Sequence, residues 1–347
     1  MEIHSLYMKR ALELAKLGAR KVAPNPMVGA VIVNKGNIIG EGYHQFHGGP
    51  HAEVNAIGEV KNEELLKESR IYVTLEPCNH TGLTPPCTSL ILEKSIPEII
   101  IAQTDPNPLV SGTGIDRLRE NGAKVITGIL EEESREMNRR FNTFHEKKRP
   151  YIILKWAQSS DGFIDVIRKK DDPIQPNWIT DDFCRRMVHK WRSEEAAIMV
   201  GTETALKDNP KLNVRSWEGK NPIRVVLDRN LRLPGSLNLF DSSIPTIVYT
   251  AKQKSGKKNI EYIQLDFDAD ILVQVLNSLY QKGIQSVFVE GGQKLLRSFI
   301  EQGLWDEARI FTGQVEFGDG VQAPDFVHTP LKKLKTGNSI LRIFRNK

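Results

Sequence analysis

The amino-acid sequence predicts an α/β protein built from two domains. Its 347 residues exceed the size that a single hydrophobic core usually supports. Short apolar strands alternate with helical stretches in both halves, as in a central sheet covered by helices. A charged helical stretch runs into Pro150, and we place the boundary there, with domains at 1–146 and 150–347.

The N-terminal half begins with "MEIHSLYMKRALELAKLG", an amphipathic helix predicted to end near Gly18. "GAVIVNKGNIIGEGYH" predicts a β-hairpin that turns between Asn34 and Asn37. Helices and strands then alternate: the helices are "HAEVNAIGEV", "CTSLILEKS" and "GTGIDRLRENG", and the strands are "RIYVTLE", "EIIIAQ" and "KVITGI". One long helix, "EEESREMNRRFNTFHEKK", is predicted before the boundary.

The C-terminal half opens with a buried strand and a turn in "PYIILKWAQSSDGFI". "TDDFCRRMVHKWRSE" predicts a helix with Thr180 as its N-cap and Cys184 as a mid-helix packing residue. Short apolar strands follow in "AAIMVG", "IRVVLD", "TIVYT" and "SVFVEGG". The helices "DADILVQVLNSLYQKG" and "GQKLLRSFIEQG" again indicate an α/β arrangement.

Composition and charge narrow the function classes. The net charge of +5 is mild and the basic residues are spread along the chain, so no nucleic-acid partner is expected. The sequence contains no run of about 18 apolar residues, so no membrane-spanning helix is predicted. The N-terminus lacks a signal peptide's apolar core. We therefore expect a cytoplasmic protein, in which three cysteines suit metal ligation or burial better than disulfides.

Two motifs supply the ligands of a predicted metal site. "GGPHAEVNAI" provides His51, and "TLEPCNHTGLTPPC" provides Cys78 and Cys87 after a strand. Cys87 opens a predicted helix, whose dipole favours the thiolate. Three protein ligands leave a fourth position open, as in catalytic zinc sites, so we predict one zinc ion per chain on His51, Cys78 and Cys87.

Glu53 is the predicted catalytic residue beside that metal. Zinc acidifies water, and a carboxylate that does not bind the metal can carry the proton. Residues i and i+2 lie on different faces of a helix, so His51 and Glu53 can share a site only if the helix starts there. Gly48, Gly49 and Pro50 favour such a start.

These motifs, with "APNPMVGAVIV" and "TDPNPLVSGTGI", resemble the deaminase domain of the bifunctional riboflavin-biosynthesis deaminase/reductase. The resemblance implies a cytidine-deaminase-like three-layer α/β/α domain. It also implies that the pyrimidine and ribose-phosphate pocket is lined by Asn25, His44, His80, Asp105 and Asn107. Asn25 and Asn107 each precede a proline, so turn formation is an alternative explanation for them.

The second half of the chain resembles the reductase of the same family, which has a dihydrofolate-reductase-like α/β fold. The match rests on "KWAQSSDGFI", "NWITDDFCRRMVHKWR", "VGTETALKDNPKLNVR" and "VEGGQKLL". In "SVFVEGGQKLL" a strand, two glycines and a helix follow one another, which suits a phosphate but is also a generic βα turn. The full GxGxxG fingerprint is absent, so a Rossmann domain is not supported.

The resemblance supplies the reductase assignments. It implies NADPH contacts at Ala157, Trp178, Thr204, Asp208, Arg229, Gly292, Gln293, Lys294, Leu295, Leu296, Arg297 and Ser298. It implies substrate contacts at Arg192, Leu212, Arg215 and Glu290, with the two guanidinium groups suited to a phosphate. Arg229 stands where the family often has a small hydroxyl residue, so we hypothesise a pairing with the 2′-phosphate of NADPH; a solvated loop charge is the alternative.

The chain departs from the family pattern at four places. "SSDG" replaces the more usual "SLDG", and extra residues around "VIRKKDDPIQPN" lie between Gly162 and Trp178. Pro176 replaces a small residue two positions before that tryptophan. Leu83 stands where the family usually has a basic residue, which removes one expected phosphate contact.

The resemblance implies two consecutive steps of riboflavin synthesis: hydrolytic deamination of a diaminopyrimidinone ribose phosphate, then NADPH-dependent reduction of its ribosyl group. Small-molecule substrates and a homodimer or homotetramer are expected, without nucleic-acid or membrane partners. One alternative is an RNA-base deaminase, which needs a basic, aromatic-rich surface, whereas aromatic content is only 7%. The other is a non-catalytic protein stapled by zinc.

Leu83 gives a test of the phosphate contact. Leu83→Lys should lower the deaminase KM about tenfold, because one charge-assisted hydrogen bond contributes roughly 1.5 kcal/mol. Steady-state kinetics measure this, with the reductase constants as the internal control. A neutral or harmful effect on deamination would show that the phosphate is held from another direction.

Overall fold

The computed structural model describes residues 2–81, 85–108, 110–169 and 172–346. The chain divides into two compact units, Met1–Lys148 and Arg149–Lys347. Within the described residues, no helix is long and apolar enough to cross a membrane.

A five-stranded sheet forms the centre of the N-terminal unit, in the order β2-β1-β3-β4-β5. The strands are β1 (Gly29–Asn34), β2 (Asn37–Tyr43), β3 (Arg70–Leu75), β4 (Glu98–Gln103) and β5 (Lys124–Thr127). The predicted hairpin is confirmed by the antiparallel pairing of β1 with β2. Because β1 also runs antiparallel to β3, the chain entering β1 lies beside the end of β3 that leads to Cys78.

Helices cover both faces of this sheet. They are α1 (Glu2–Lys16), α2 (Ala52–Gly58), α3 (Cys87–Glu93), α4 (Thr113–Glu120), α5 (Glu131–Met137) and α6 (Arg139–Lys147), and a short 3₁₀ turn spans Glu63–Glu68. One apolar cluster joins the sheet to α1, and another joins the opposite face to α2, α3 and α4. The three-layer α/β/α arrangement is therefore as predicted.

The long helix predicted before the boundary is wrong, because Asn138 divides it into α5 and α6. The Asn138 side chain accepts a hydrogen bond from the Met27 backbone N–H and donates to the Met27 carbonyl, both at 2.9 Å. Asn138 thus ties this corner to the chain that enters β1. The break between α5 and α6 allows Asn138 to contact a residue more than 100 positions away in sequence. The periodicity of apolar residues along a helix does not reveal such a contact.

Helix α2 packs against β2 at unusually short distance. A Cβ atom at Gly42 would lie 2.4 Å from the Ala56 nitrogen and 2.5 Å from the Ala52 oxygen. At Gly40 it would lie 2.3 Å from the Ala56 oxygen. Only glycine fits at either position, and the contact fixes where α2 lies on the sheet.

A nine-stranded sheet forms the C-terminal unit, in the order β11-β10-β9-β8-β12-β6-β13-β16-β15. Its strands are β6 (Tyr151–Gln158), β8 (Ala197–Val200), β9 (Ile223–Leu227), β10 (Thr246–Thr250), β11 (Ile260–Gln264), β12 (Ser286–Val289), β13 (Glu307–Thr312), β15 (Lys332–Thr336) and β16 (Ser339–Arg345). β7 (Phe163–Asp165) and β14 (Val321–Gln322) form a separate ribbon. Pairings within the large sheet are parallel from β11 to β13 and antiparallel around β16.

Two apolar clusters sandwich this sheet. The helices are α7 (Asp182–Arg192), α8 (Thr202–Asp208), α9 (Ile271–Gln281) and α10 (Gln293–Glu301), with a 3₁₀ turn at Asn238–Phe240. Ile152 and Leu154 face the cluster that contains α9 and α10, whereas Tyr151 and Ile153 face the one that contains α7. Strand β6 is therefore buried on both sides, as its apolar sequence indicates.

The start of α7 and the end of the sheet differ from the sequence prediction. Asp181, not Thr180, is the N-cap, because its carboxylate accepts from the Cys184 N–H. Cys184 lies in the first turn rather than mid-helix and is buried, and its thiol hydrogen-bonds the Thr336 carbonyl. Strands β11, β13, β14, β15 and β16 and helix α8 were not identified from the sequence.

The glycine contact gives a matched pair of variants. Gly42→Ala should destabilise the N-terminal unit by about 2 kcal/mol, because the added methyl group overpacks a backbone contact. Gly58→Ala, at the end of helix α2, meets nothing within 4 Å and should be neutral or stabilising. Calorimetric melting of the two variants measures the difference, and equal melting temperatures would contradict the close contact.

Candidate active sites

The three predicted metal ligands converge in the structure. The ligand atoms of His51, Cys78 and Cys87 lie within 4.8 Å of one another. His51 Nδ1 is 3.3 Å from Cys87 Sγ and 3.4 Å from Cys78 Sγ. Ligands around a tetrahedral zinc ion, with bonds of about 2.0–2.3 Å, lie roughly 3.5 Å apart, so these atoms fit one zinc ion.

Local structure places each ligand. His51 is the N-cap residue of α2, Cys78 follows the end of β3, and Cys87 is the first residue of α3. The Cys87 backbone N–H points to Cys78 Sγ at 3.4 Å. Two helix N-termini thus face one cluster, and both favour negative charge.

The two thiols form a coupled pair. A hydrogen bond from the Cys87 thiol lowers the pKa of Cys78 to about 4, although burial opposes this shift. The same interaction, together with burial, raises the pKa of Cys87. A His-Cys-Cys donor set, whose sulfurs bind a metal as thiolates, suits zinc.

Glu53 lies in the first turn of α2 and is buried, at 3% exposure. Burial raises the pKa of its carboxyl to about 7, the Cys78 thiolate adds to the rise, and His51 opposes it. A carboxyl group that titrates near neutrality can both take up and release a proton. The helix start that the sequence required for a shared site is present, since α2 begins at Ala52.

His44 and Asn25 form a hydrogen-bonded pair near the metal ligands. His44 Nδ1 is 3.0 Å from the Pro50 carbonyl, so Nδ1 donates and Nε2 accepts from Asn25 Nδ2 at 3.2 Å. The His44 and His51 rings meet edge to face at 5.6 Å. His44 thus fixes the orientation of the Asn25 amide, a role that the sequence did not show.

A buried carboxylate organises the loop that carries Asp105 and Asn107. Glu76 accepts hydrogen bonds from four backbone N–H groups, those of Asp105, Gly112, Gly114 and Ile115, at 2.9–3.3 Å. The Asp105 carboxylate in turn accepts from the Asn107 N–H at 2.8 Å. Burial, followed by the charge of Glu76, raises the pKa of Asp105 to about 6.

Sequence reasoning missed Glu76, although an acidic residue at the end of a buried strand in "TLEPC" was a usable signal. Of the other predicted deaminase contacts, His80 is exposed. Leu83 lies outside the described residues. Around the three predicted metal ligands, the structure thus places Glu53, the His44–Asn25 pair and the loop held by Glu76.

In the C-terminal unit, a cavity of about 1070 Å³ gathers most of the predicted reductase residues. Its lining includes Ala157, Trp178, Thr204, Asp208, Gly292, Gln293, Lys294, Leu295, Leu296, Ser298, Arg192, Leu212, Arg215 and Glu290. Two predicted contacts lie elsewhere. Arg229 is 53% exposed and pairs with Asp268 at 2.8 Å, and Arg297 is 62% exposed and pairs with Glu301.

Glu290 and Arg192 form a buried bidentate pair in this cavity. Arg192 Nε and Nη2 donate to the two carboxylate oxygens at 2.6 and 2.7 Å. Burial alone would raise the pKa of Glu290, but Arg192, with Lys155 and His189, lowers it to about 2. Arg192 therefore holds Glu290 ionised, and its Nε and Nη2 donors are bound to that carboxylate.

Lys155, Arg215 and His189 add positive or titratable groups to the lining. Burial lowers the pKa of Lys155, which sequence reasoning missed because it lies in the apolar strand β6. Burial, Arg192 and Arg215 lower the pKa of His189 to about 4, which keeps its imidazole neutral. Arg215 donates to the Asn213 side chain at 3.1 Å and has further N–H donors for a ligand.

The N-terminus of α10 forms one wall of the cavity. The helix begins at Gln293, directly after Gly291 and Gly292. A Cβ atom at Gly292 would lie 2.9 Å from the Thr204 hydroxyl, and Gly291 has φ +111°, so both positions suit glycine. Exposed backbone N–H groups at a helix start bind phosphate, which fits a dinucleotide cofactor.

Family comparisons agree with this geometry. A family model for the RibD C-terminal domain matches residues 150–338, and one for the cytidine and deoxycytidylate deaminase zinc-binding region matches residues 1–103. The riboflavin biosynthesis protein RibD of Aquifex aeolicus is 41% identical over 93% of this chain and 90% of that protein. The chain belongs to the RibD family. RibD of Bacillus amyloliquefaciens is 39% identical over 92% and 87% of the respective lengths.

Solved structures support the RibD assignment over the whole chain. A diaminohydroxyphosphoribosylaminopyrimidine deaminase/5-amino-6-(5-phosphoribosylamino)uracil reductase from Thermotoga maritima matches with a TM-score of 0.86 and 38% identity, covering 100% of this chain and 99% of that one. One form of Acinetobacter baumannii RibD matches with a TM-score of 0.87 and 31% identity at the same coverage.

Membership of the RibD family confirms the predicted fold class and both enzyme classes: a deaminase and a reductase of riboflavin biosynthesis that act on small pyrimidine substrates. It also confirms the predicted zinc and NADPH cofactors.

The ligand set makes a direct prediction. Cys78→Ser and Cys87→Ser should each lower bound zinc well below one ion per chain and abolish deamination, because a hydroxyl group is a poor zinc ligand. Cys184→Ser removes a buried thiol far from His51 in sequence and should keep full zinc. Metal analysis of the purified variants measures this, and zinc loss confined to Cys184→Ser would show the site to be misplaced.

Proposed function

We propose that this chain catalyses two consecutive reactions of riboflavin biosynthesis. The first is hydrolytic deamination of 2,5-diamino-6-ribosylamino-4(3H)-pyrimidinone 5′-phosphate, assigned to residues 1–146. The second is NADPH-dependent reduction of the ribosyl group to ribityl, assigned to residues 150–347. The observation that carries the proposal is Glu53, a buried non-ligand carboxyl beside His51, Cys78 and Cys87.

In the deaminase site, His51 Nδ1 and the two cysteine sulfurs would hold zinc, and the fourth position stays open. Zinc bound there supplies Lewis acidity, which lowers the pKa of water into the neutral range. Glu53 takes the proton of the attacking water and passes it to the leaving amine. The water oxygen bonds to the amino-bearing ring carbon, the carbon–nitrogen bond breaks, and ammonia leaves.

Substrate recognition falls to the residues around Glu53. His44 presents the Asn25 amide to the pocket, where it can bind the polar edge of the pyrimidine. Asp105 and Asn107 lie on the loop that Glu76 fixes, and they would contact the ring or the ribose. His80 would approach the phosphate side.

In the reductase cavity, the start of α10 and residues Gln293 to Ser298, except Arg297, would hold NADPH together with Ala157, Trp178, Thr204 and Asp208. NADPH supplies the hydride that reduces ribosyl C1′. Opening of the sugar ring requires one proton at the ring oxygen, and we assign Lys155 as its donor, because the ionised Glu290 favours the ammonium form of that side chain. Arg215 would bind the substrate's phosphate, with Leu212 beside it.

Two finer predictions belong to this proposal. The chain would act in the cytoplasm, and it would assemble as a homodimer or homotetramer. Sedimentation equilibrium measures the assembly state.

Arg229, which lies on the surface beside Asp268, would reach the 2′-phosphate only if that end of the cofactor extends beyond the cavity.

The proposal as a whole is tested by supplying purified protein with the diaminopyrimidinone substrate and NADPH. Mass spectrometry should first show replacement of an amino nitrogen by oxygen and then addition of two hydrogens. Release of ammonia without NADPH consumption would restrict the proposal to the first reaction. Deamination of a tRNA base instead would replace it by an RNA-base deaminase.

Glu53→Gln separates catalysis from metal binding. Deamination should fall at least about a hundredfold, because the amide cannot carry the proton, while zinc stays at one ion per chain. Reduction of substrate that is already deaminated should continue. Glu59→Gln, the same change on the exposed end of α2, is the matched control and should be silent. Zinc loss in Glu53→Gln would make Glu53 a ligand.

A further inference from the structure

Arg168 lies in the extra stretch that distinguishes this chain between Gly162 and Trp178. Its side chain is only 8% exposed. All five of its N–H donors are used: Nε and Nη2 bind the Asp165 carboxylate at 2.9 and 3.0 Å, and Nη2 also binds Asp208 at 2.7 Å. Nη1 donates to the carbonyls of Gln175 at 2.8 Å and Lys207 at 2.9 Å.

These bonds join three separate parts of the chain. Asp165 ends β7, where the extra stretch begins, and Gln175 lies near its end, three residues before Trp178. Lys207 and Asp208 end helix α8, which also carries Thr204. Asn177 strengthens the connection, because its side-chain amide donates to Asp165 at 2.7 Å. Arg168 thus fastens the Trp178 side of the reductase cavity to the α8 side.

Charge gives a second reason for an arginine at this position. Asp165, Arg168 and Asp208 all line the cavity that would receive a dinucleotide with several negative charges. Burial raises the pKa of Asp208, and Arg168 opposes that rise. Without the guanidinium, two carboxylates would face each other and the incoming phosphates. With it, one of the two negative charges is offset and both carboxylates are hydrogen-bonded.

Only a guanidinium group satisfies this geometry. Five acceptor oxygens surround the guanidinium group, and the fork of arginine reaches all of them from one side chain. A lysine ammonium has three donors on a flexible stem and cannot bridge both carboxylates and both carbonyls.

We propose that Arg168 is a positioning residue for NADPH binding: it fastens the Trp178 segment to the end of α8 and so fixes both walls of the cofactor cavity. The proposal rests on the reductase function proposed above. It gives the extra stretch a structural role in the reductase cavity. The sequence of that stretch alone shows only added charged residues and prolines.

The test compares Arg168→Ala and Arg168→Lys with Arg149→Ala in the full-length protein. Arg149 also forms a bidentate pair, with Asp306 at 2.6 and 2.8 Å, but it is not part of the cavity lining. Tryptophan fluorescence reports folding of the C-terminal unit, because all five tryptophans lie beyond residue 150. Thermal shifts of similar size in Arg168→Ala and Arg149→Ala therefore provide a control for lost stability.

Three measurements test whether Arg168 positions the NADPH site. The Kd for NADPH and its KM should rise at least tenfold in Arg168→Ala, with a smaller rise in Arg168→Lys, and kcat at saturation should stay within a few-fold. Hydrogen exchange without NADPH should accelerate in peptides that cover 163–169 and 172–178. Arg149→Ala should change neither the Kd nor that exchange.

An unchanged Kd and unchanged exchange in a folded Arg168→Ala would overturn the proposal, as would an equal rise in Kd in Arg149→Ala. Failure of the proposed function is recognised separately, because the parent protein would then neither bind nor oxidise NADPH. In that case the assignment of Arg168 to NADPH also falls. The deaminase rate of each variant, which depends on the other unit's residues, confirms equal amounts of active protein.

Discussion

The deaminase site depends on how closely helix α2 lies against strand β2. Gly40 and Gly42 allow a backbone-to-backbone approach that any larger residue would block. That approach fixes where α2 lies on the sheet, and with it the positions of His51, the N-cap residue, and of Glu53 in the first turn. A metal ligand and an acid–base group two residues apart can share a site only because of this placement. The chemistry of the site is therefore set by packing several residues away.

The surroundings of buried carboxyl groups differ between the two units, and so does the protonation state that those surroundings favour. Glu53 has no guanidinium partner, so burial leaves its pKa near neutrality and the group can exchange a proton. Glu290 and Asp208 face Arg192 and Arg168, which stabilise the ionised form. A hydrolytic reaction needs a group that changes its protonation state. A cofactor site needs fixed charges and rigid walls, because there the cofactor carries the chemistry.

Local patterns in the sequence predicted local features well. The clustering of His51, Cys78 and Cys87 followed from their residue types and from the predicted helix starts, and the strands of the N-terminal unit followed from their apolar runs. Contacts between distant segments left no such trace: the Asn138–Met27 pair, the four bonds to Glu76 and the Arg168 cluster each join parts of the chain far apart. Lys155 was missed because a single charged residue in an apolar strand is usually interpreted as the point where the strand becomes exposed to solvent.

Strand β15 was missed for a different reason, which is its charged sequence. Its sequence "KKLKT" is polar like a loop, because the strand lies at the edge of the nine-stranded sheet with its first four residues exposed. Lys332, Lys333 and Lys335 place like charges along unpaired backbone groups, so a second sheet that approaches edge-on is repelled. This protection against fibrous aggregation is electrostatic, and concentrated salt weakens it. Solutions of this protein should therefore keep better at low ionic strength than at high.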